Sequence, residues 1–221
     1  MESKTINLWD KMVENASEGL KEYFIEEEKF LKENICRQDF VLDLGCGAGR
    51  TIKIISPICK EVMGIDNDKE AVINGNKNLA YLRNAKIILS DAKKIPFRNE
   101  SFDKVFIGLT FVNFGETKFK ILEEIKRILK IDGDFIFSVY NENSLSERLR
   151  LYNKYEKRKI IIDNSGNVRF GDGAVSEKFS KEGIIRILEG AGFKVRRIIK
   201  GKIFYLIEAY KLPAKNKMYY N

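Results

Sequence analysis

The chain has 221 residues, room for one α/β domain with an appendage and for a core that needs no disulfide or metal. At 44% hydrophobic and 33% charged it has a globular composition. It has no histidine, which excludes Ser-His-Asp and Cys-His catalysis, and its net charge of +8 leaves a nucleic-acid partner open beside the plainer reading of solubility.

Residues 8–34 carry apolar side chains at mainly helical spacing, among them Trp9, Leu20, Tyr23, Phe30 and Leu31, with a break near Ser17 and Gly19. Two helices are expected there. Residues 40–44 form a short apolar run that ends in glycines, the pattern of a buried parallel strand. A helix is expected from Arg50 to near Pro57, a strand over 61–66 and a helix over 68–81. Strands follow over 86–89 and 102–108. Residues 118–130 place Ile121, Leu122, Ile125, Ile128 and Leu129 on one helical face, and a fifth strand is expected over 134–140. Strands alternating with helices imply right-handed crossovers and a doubly wound parallel sheet.

The rhythm breaks over 141–179, where a charged helix (145–159) and a hairpin (160–163 with 168–170) are expected. Ser180 has the look of a helix N-cap. The last two strands, 193–199 and 203–210, are separated only by Lys200-Gly201-Lys202, too short for a parallel crossover, so they should pair antiparallel. The expected fold is α/β: one domain over 1–221 with a mostly parallel, seven-stranded sheet and an antiparallel final hairpin. Helices at 1–39 precede a core at 40–140, an inserted lid at 141–179 and a closing unit at 180–221.

The three cysteines, Cys36, Cys46 and Cys59, form no Cys-x-x-Cys, so no metal site is expected, and a reduced, cytoplasmic protein is. No apolar run is long enough to span a membrane and no hydrophobic leader follows Met1.

Val41-Leu42-Asp43-Leu44-Gly45-Cys46-Gly47-Ala48-Gly49-Arg50 carries the most chemistry. A buried strand empties into a glycine turn and a helix begins at once. Such a crevice at the carboxyl ends of parallel strands takes a nucleotide-like ligand. The spacing is not that of a dinucleotide fingerprint, whose third glycine would stand where Arg50 does, and no Gly-Lys-Ser/Thr phosphate loop is present.

The string Asp43 to Gly49 resembles the first motif of class I S-adenosylmethionine-dependent methyltransferases. Further landmarks follow in the family's order: Gly64-Ile65-Asp66, Ser90-Asp91-Ala92 with Ile95-Pro96-Phe97, Ser101-Phe102-Asp103-Lys104-Val105, the turn over 128–134, Phe179-Ser180-Lys181-Glu182 and Ala191-Gly192-Phe193. The likeness covers about 40–140 and 179–210 and is closest to small stand-alone members that act on quinones and other small metabolites. It implies the Rossmann-like methyltransferase fold and S-adenosylmethionine as donor. It also implies a donor site of Asp43, Gly45, Cys46, Gly47, Gly49, Asp66, Asn67, Ser90, Asp91, Ala92, Gly108 and Leu109.

Within that reading Asp66 accepts from a ribose diol; the lesser alternative is a helix N-cap, since Asn67 and Asp68 open the next helix. Asp91 and the N–H of Ala92 meet the adenine edge, and Asn67 and Ile95 line the adenosine pocket. Asp43 sits under the glycine turn, and the backbone at Gly108 and Leu109 faces the donor's ammonium. Arg50 is read as solvent-facing and Cys46 as a small turn residue. On the acceptor side Phe111, Val112, Asn113 and Phe114 should border the pocket. Asn113, Phe114 and Tyr140 are the candidate acceptor contacts. Tyr140, Glu142 and Asn113 are candidate bases, each set against ordinary loop polarity, so no catalytic residue is assigned. Tyr23 and Trp9 are candidate lid residues.

A sulfonium methyl is already activated, so the protein need mainly align donor and acceptor. The expected activity is in-line methyl transfer to a small molecule. The alternative is methylation of RNA, such as tRNA, motivated by the charge and by Arg148, Arg150, Lys154, Lys157, Arg158 and Lys159. A non-catalytic donor-binding protein is a third reading. The oligomeric state stays open.

Overall fold

Residues 16–212 are described by the computed structural model, so Trp9 and the first expected helix lie outside the described residues. Ser17 caps the first described helix, α1 (Glu18–Asn34), its hydroxyl accepting from the N–H of Leu20. The buried stripe of α1 is Leu20, Tyr23, Glu27, Phe30 and Leu31, so a glutamate occupies a core position. Then come β1 (Phe40–Leu44), α2 (Arg50–Ile55) with a 3₁₀ turn at Ser56–Ile58, β2 (Glu61–Asp66), α3 (Lys69–Asn78), β3 (Ala85–Leu89) and β4 (Phe102–Ile107). Two 3₁₀ turns, Leu109–Asn113 and Gly115–Thr117, lead into α4 (Lys118–Ile128) and β5 (Leu129–Tyr140).

The insertion holds α5 (Leu145–Tyr155), β6 (Ile160–Ile162), β7 (Val168–Phe170) and β8 (Val175–Ser176). The chain closes with α6 (Lys181–Gly190), β9 (Phe193–Lys200) and β10 (Phe204–Lys211). Ser180 caps α6 as expected, its hydroxyl accepting from the N–H of Gly183.

The seven-stranded sheet runs β3-β2-β1-β4-β5-β10-β9. Its first five strands are parallel, and β10 pairs antiparallel with both β5 and β9. The expected fold class is the observed one. The strand order reverses between β1 and its neighbours β2 and β4, which places the crevice at the carboxyl end of β1. Val41, Leu42 and Leu44 of β1 are fully buried because helices cover both faces of a parallel sheet.

The helix expected over 68–81 ends at Asn78, and three further differences from expectation are larger. The fifth strand starts at Leu129, not near 134, because Leu129 is already extended and the chain runs straight through Gly133. The charged helix stops at Tyr155, where the Glu156 carboxylate captures the N–H groups of Lys157 and Arg158. The hairpin of the insertion gains β8, a two-residue strand too short to show a period, and becomes a three-stranded sheet of order β6-β7-β8.

Candidate functional site

The turn after β1 is fixed by main-chain bonds. The N–H groups of Gly45 and Cys46 both donate to the carbonyl of Ile65, at 2.7 and 3.2 Å. Gly45, Gly47 and Gly49 have φ of +76°, +54° and +86°. At Gly45 a Cβ would stand 2.6 Å from Thr110 Cγ2, so this position needs glycine on two counts, backbone angle and close approach. At Gly47 a Cβ would meet nothing within 4 Å, which shows that this backbone opens onto free space.

Asp66, at the end of β2, ties the turn to the next helix. One carboxylate oxygen accepts from Gly47 N–H at 2.7 Å, and the other from Asp68 N–H at 2.9 Å. The N-cap of α3 is Asp68, which accepts from the N–H groups of Glu70 and Ala71. Asp66 is therefore not the helix cap. Its carboxylate still has lone pairs to offer a ligand.

A cavity of about 1000 Å³ lies over this turn. Asp43, Gly45, Cys46, Gly47, Asp66, Asn67, Ser90, Asp91, Ala92, Gly108 and Leu109 all line it, as do the acceptor candidates Asn113 and Phe114. Gly49 does not. Its Cα packs against Leu79 and Ile87, so it serves the approach of α2 to α3 and β3. Ile95 is buried outside the cavity, its N–H donating to Glu124 and its carbonyl accepting from Arg127. Phe111 and Val112 are also buried away from it. The Phe111 ring packs among Phe114, Phe137 and Phe179, and the Val112 carbonyl accepts from Glu177 N–H.

Tyr140 is not at the site either. It is buried with its ring 5.4 Å from the Arg148 guanidinium, and burial pushes its hydroxyl well above the usual tyrosine range, so it is no base. Glu142 accepts from Lys200 and Tyr205 at the edge of β9 and β10.

Asp43 is 1% exposed and accepts from the Thr51 hydroxyl. Burial pushes its carboxyl up to about 7, against the opposing pull of Thr51 and Arg50. Beside it is a cluster the sequence reading did not find. The Tyr23 hydroxyl donates to Glu27 and lies 2.8 Å from Ser138 Oγ, while Arg50 donates to the other Glu27 oxygen. Arg50 is thus not simply solvent-facing: it lines the cavity, and its guanidinium lies 4.8 Å from the centre of the Phe24 ring. Burial works to lower the Arg50 pKa, but Glu27 and Tyr23 outweigh it and hold the guanidinium above its ordinary value. The signal available was the position of Glu27, which falls on the same helical stripe as Leu20, Tyr23 and Phe30.

The insertion contributes nothing to the cavity lining. Its basic run is largely consumed within the fold. Arg148 is fully buried and donates to the carbonyls of Ser176 and Gly166, Arg150 pairs with Glu147, and Arg158 pairs with Glu156 and Asp172. Among the described residues no helix is long and apolar enough to cross a membrane.

Residues 42–137 match the model of a methyltransferase domain. An uncharacterised protein of Methanocaldococcus jannaschii is 31% identical over 193 residues, covering 85% of this chain and 67% of its own. Among solved structures, a SAM-dependent methyltransferase from Aquifex aeolicus is 25% identical, with a TM-score of 0.63 over 84% of this chain and 89% of its own. The Burkholderia thailandensis 1,6-didemethyltoxoflavin-N1-methyltransferase, solved with 1,6-didemethyltoxoflavin and S-adenosylhomocysteine, shares the fold. It is 14% identical, with a TM-score of 0.69 over 95% of this chain and 88% of its own. A glycine turn opening on a nucleoside-sized cavity, on a sheet of this order and under this domain match, makes the chain a member of the class I S-adenosylmethionine-dependent methyltransferases.

Proposed function

We propose that the chain transfers a methyl group to a small-molecule acceptor whose nucleophile is already competent. The observation that carries this reading is the make-up of the cavity wall beyond the glycine turn. Asn113, Phe114, Thr117 and Ile121 line it there, and none of them ionises near neutral pH. That wall suits an apolar or aromatic acceptor with a polar edge for the Asn113 amide.

The residues present fit the donor. Gly47 leaves its Cα open to the cavity, and the Asp66 carboxylate has acceptor capacity left beyond its two backbone bonds. In this reading Asp66 holds the ribose hydroxyls, Asp91 and Ala92 N–H meet the adenine edge, and the backbone of Gly108 and Leu109 faces the amino-acid tail. When bound, S-adenosylmethionine supplies a methyl on a positively charged sulfur, a good electrophile without further activation. The protein's part is alignment and exclusion of water. No side-chain base is supplied at the acceptor wall. The nearby Tyr23 hydroxyl is held protonated, because burial first and Glu27 second push it well above its ordinary range. The acceptor is then an amine, a thiolate or a stabilised carbon, not an alcohol that must first lose a proton.

The insertion frames the acceptor wall more than it covers the donor. Glu177 N–H donates to the Val112 carbonyl at 2.8 Å, and the Glu177 carboxylate pairs with Lys118 at 3.1 Å, so the residue after β8 holds the segment 109–118 from behind.

Methyl-labelled donor incubated with the protein and separate small-molecule and RNA fractions tests this reading. Label in small molecules supports it. Label only in RNA overturns it, and donor binding without turnover on any fraction makes the protein a non-catalytic binder.

A further inference from the structure

We propose that the outer edge of β6 docks a second copy of this chain, the two β6 strands pairing antiparallel about a two-fold axis at Ile161. The pairing needs neither donor nor acceptor.

The small sheet of the insertion is covered on one side and open on the other. On the covered side the residue after β8, Glu177, donates its N–H to the Val112 carbonyl, and the Ser176 carbonyl accepts from Arg148. β6 ends the sheet on the other side, and among the described residues no strand pairs with it there. The Lys159 carbonyl accepts from Gly171 N–H and the Asp163 N–H donates to the Asn167 carbonyl, with Ile161 opposite Arg169 between them. Strand alternation then turns the N–H and C=O groups of Ile160 and Ile162 outward.

Two features separate this edge from a solvated one. Natural sheet edges are guarded by lysine, proline or a bulge, but β6 consists of isoleucines alone, and Ile161 and Ile162 are 51% and 47% exposed. The flanking charges are also complementary to themselves. With Ile161 opposite the partner's Ile161, Ile160 stands opposite the partner's Ile162, and their outward backbone groups bond in both directions. Lys159 then stands opposite the partner's Asp163. Slipping the register by one period would set Ile161 against Lys159 or Asp163 instead. Lys159 is exposed and has no acidic partner among the described residues. The Asp163 carboxylate is already held in place by Ser165, Asn167 and Arg169, so an incoming lysine meets a preset acid. Strands of 3, 3 and 2 residues make a short sheet, and an isologous pairing joins two such sheets into one. The contact is small, so the dimer is weak.

Sedimentation equilibrium of the full chain tests the pairing. From about 1 to about 500 μM the mean mass should rise from that of one chain toward that of two, for a dissociation constant on the order of 100 μM. Ile161→Lys sets two lysines face to face at the axis and should hold the single-chain mass throughout. Lys159→Glu sets acid against acid at both ends and should weaken association about fivefold or more. Both side chains are exposed, so both variants should melt with the wild type.

Cross-linking reads the register. In a chain whose exposed Cys36 is replaced by serine, Ile161→Cys should give an interchain disulfide on oxidation, because directly opposed residues of a non-hydrogen-bonded pair lie within disulfide reach. Ile162→Cys faces the partner's Ile160, not its own copy, and should cross-link at least about fivefold less. A single-chain mass at every concentration overturns the proposal and leaves the edge to water or to a strand of another protein. Association that Ile161→Lys leaves unchanged, or equal cross-linking at 161 and 162, puts the contact elsewhere and overturns it as well.

Discussion

The turn over residues 44–50 and the insertion over 141–179 are built from the same parts. Each has left-handed glycines, a carboxylate that gathers backbone N–H groups, and a buried charged side chain. In the insertion these groups mostly take up one another inside the protein: Arg148 takes two carbonyls, though its Nε is buried without a hydrogen-bond partner, and Asp163 takes the N–H groups of Ser165 and Asn167 and the guanidinium of Arg169. In the turn they are only partly used. Gly47 opens to space, and Asp66 and Arg50 line a cavity with bonding capacity to spare. A polar network becomes a site when part of its capacity is left aimed at a hollow.

The largest effect expected from disturbing either region is at Gly45. Gly45→Val adds a Cβ 2.6 Å from Thr110 at a φ of +76°, a clash and a forbidden backbone angle together. A loss of about 3 kcal/mol or more in stability, with donor binding abolished, is the expected result in denaturant melts and calorimetry. Gly173 has the same backbone hand, φ +87°, but nothing within 4 Å of an added Cβ. Gly173→Ala should cost only about 1 kcal/mol and leave donor affinity alone. Similar damage from both would mean that the two turns are not functionally distinct.

Asp43 supplies the next effect, through pH. Burial raises its carboxyl in the folded protein from 3.8 to about 7, so the folded state holds a proton that the unfolded chain releases. Stability is then greatest below the unfolded value and falls as pH rises from about 4 to about 7, by at most about 1.4 kcal/mol per pH unit. Above that window the contribution is flat. Asp43→Asn cannot ionise, and its denaturation midpoints should lack this part of the slope. Parallel curves for the two proteins between pH 4 and 7 would show that Asp43 does not titrate there.

Arg148 breaks the insertion without touching the cavity. Arg148→Met leaves the buried carbonyl of Ser176 and the half-buried carbonyl of Gly166 without their donor, at an expected cost of about 2–3 kcal/mol. Limited proteolysis should then cut within 156–176 while S-adenosylhomocysteine still binds. A matching loss of donor affinity would make insertion and donor site one cooperative unit.

What could be read from the residues follows the same division. Strands, helices and the donor turn were legible because burial on a parallel sheet and a left-handed turn restrict residue type: β1 and β2 run over the residues expected of them. Asp66, Asp91 and Gly108 could be placed on the cavity wall because they stand at or just after strand ends, where position in the chain sets position around the cavity. The pairing of Arg50 with Glu27 was missed because the partners stand 23 residues apart, and its one local trace was a glutamate on the apolar stripe of α1. Tyr140 was misplaced for the opposite reason. It stands at the end of β5, but its side chain is buried in the main core beside Arg148 of the insertion, a packing that no local rule discloses.

The smallest effect is the sharpest comparison. Asp66 and Asp163 are both carboxylates that accept from two backbone N–H groups, at 2.7 and 2.9 Å for Asp66 and at 3.0 and 2.9 Å for Asp163. Replacing either with asparagine keeps one acceptor oxygen and removes the charge; Asp163 takes both N–H groups on one oxygen and should lose under about 1 kcal/mol in stability, whereas Asp66 uses one oxygen for each, must leave one N–H without an acceptor and should lose about 1–2 kcal/mol. Their ligand readouts should part. Asp66→Asn should weaken S-adenosylhomocysteine by about 1–2 kcal/mol, roughly tenfold, through loss of an ionised acceptor facing the ribose diol. Asp163→Asn should leave that affinity unchanged, since its carboxylate lies in the insertion and lines no part of the cavity. Asp66→Ala should lose more of both quantities than Asp66→Asn, because the Gly47 N–H would lose its acceptor as well. If Asp66→Asn binds the nucleoside as tightly as wild type while losing stability, the carboxylate only braces the glycine turn, and the ribose contact belongs to another group on the cavity wall.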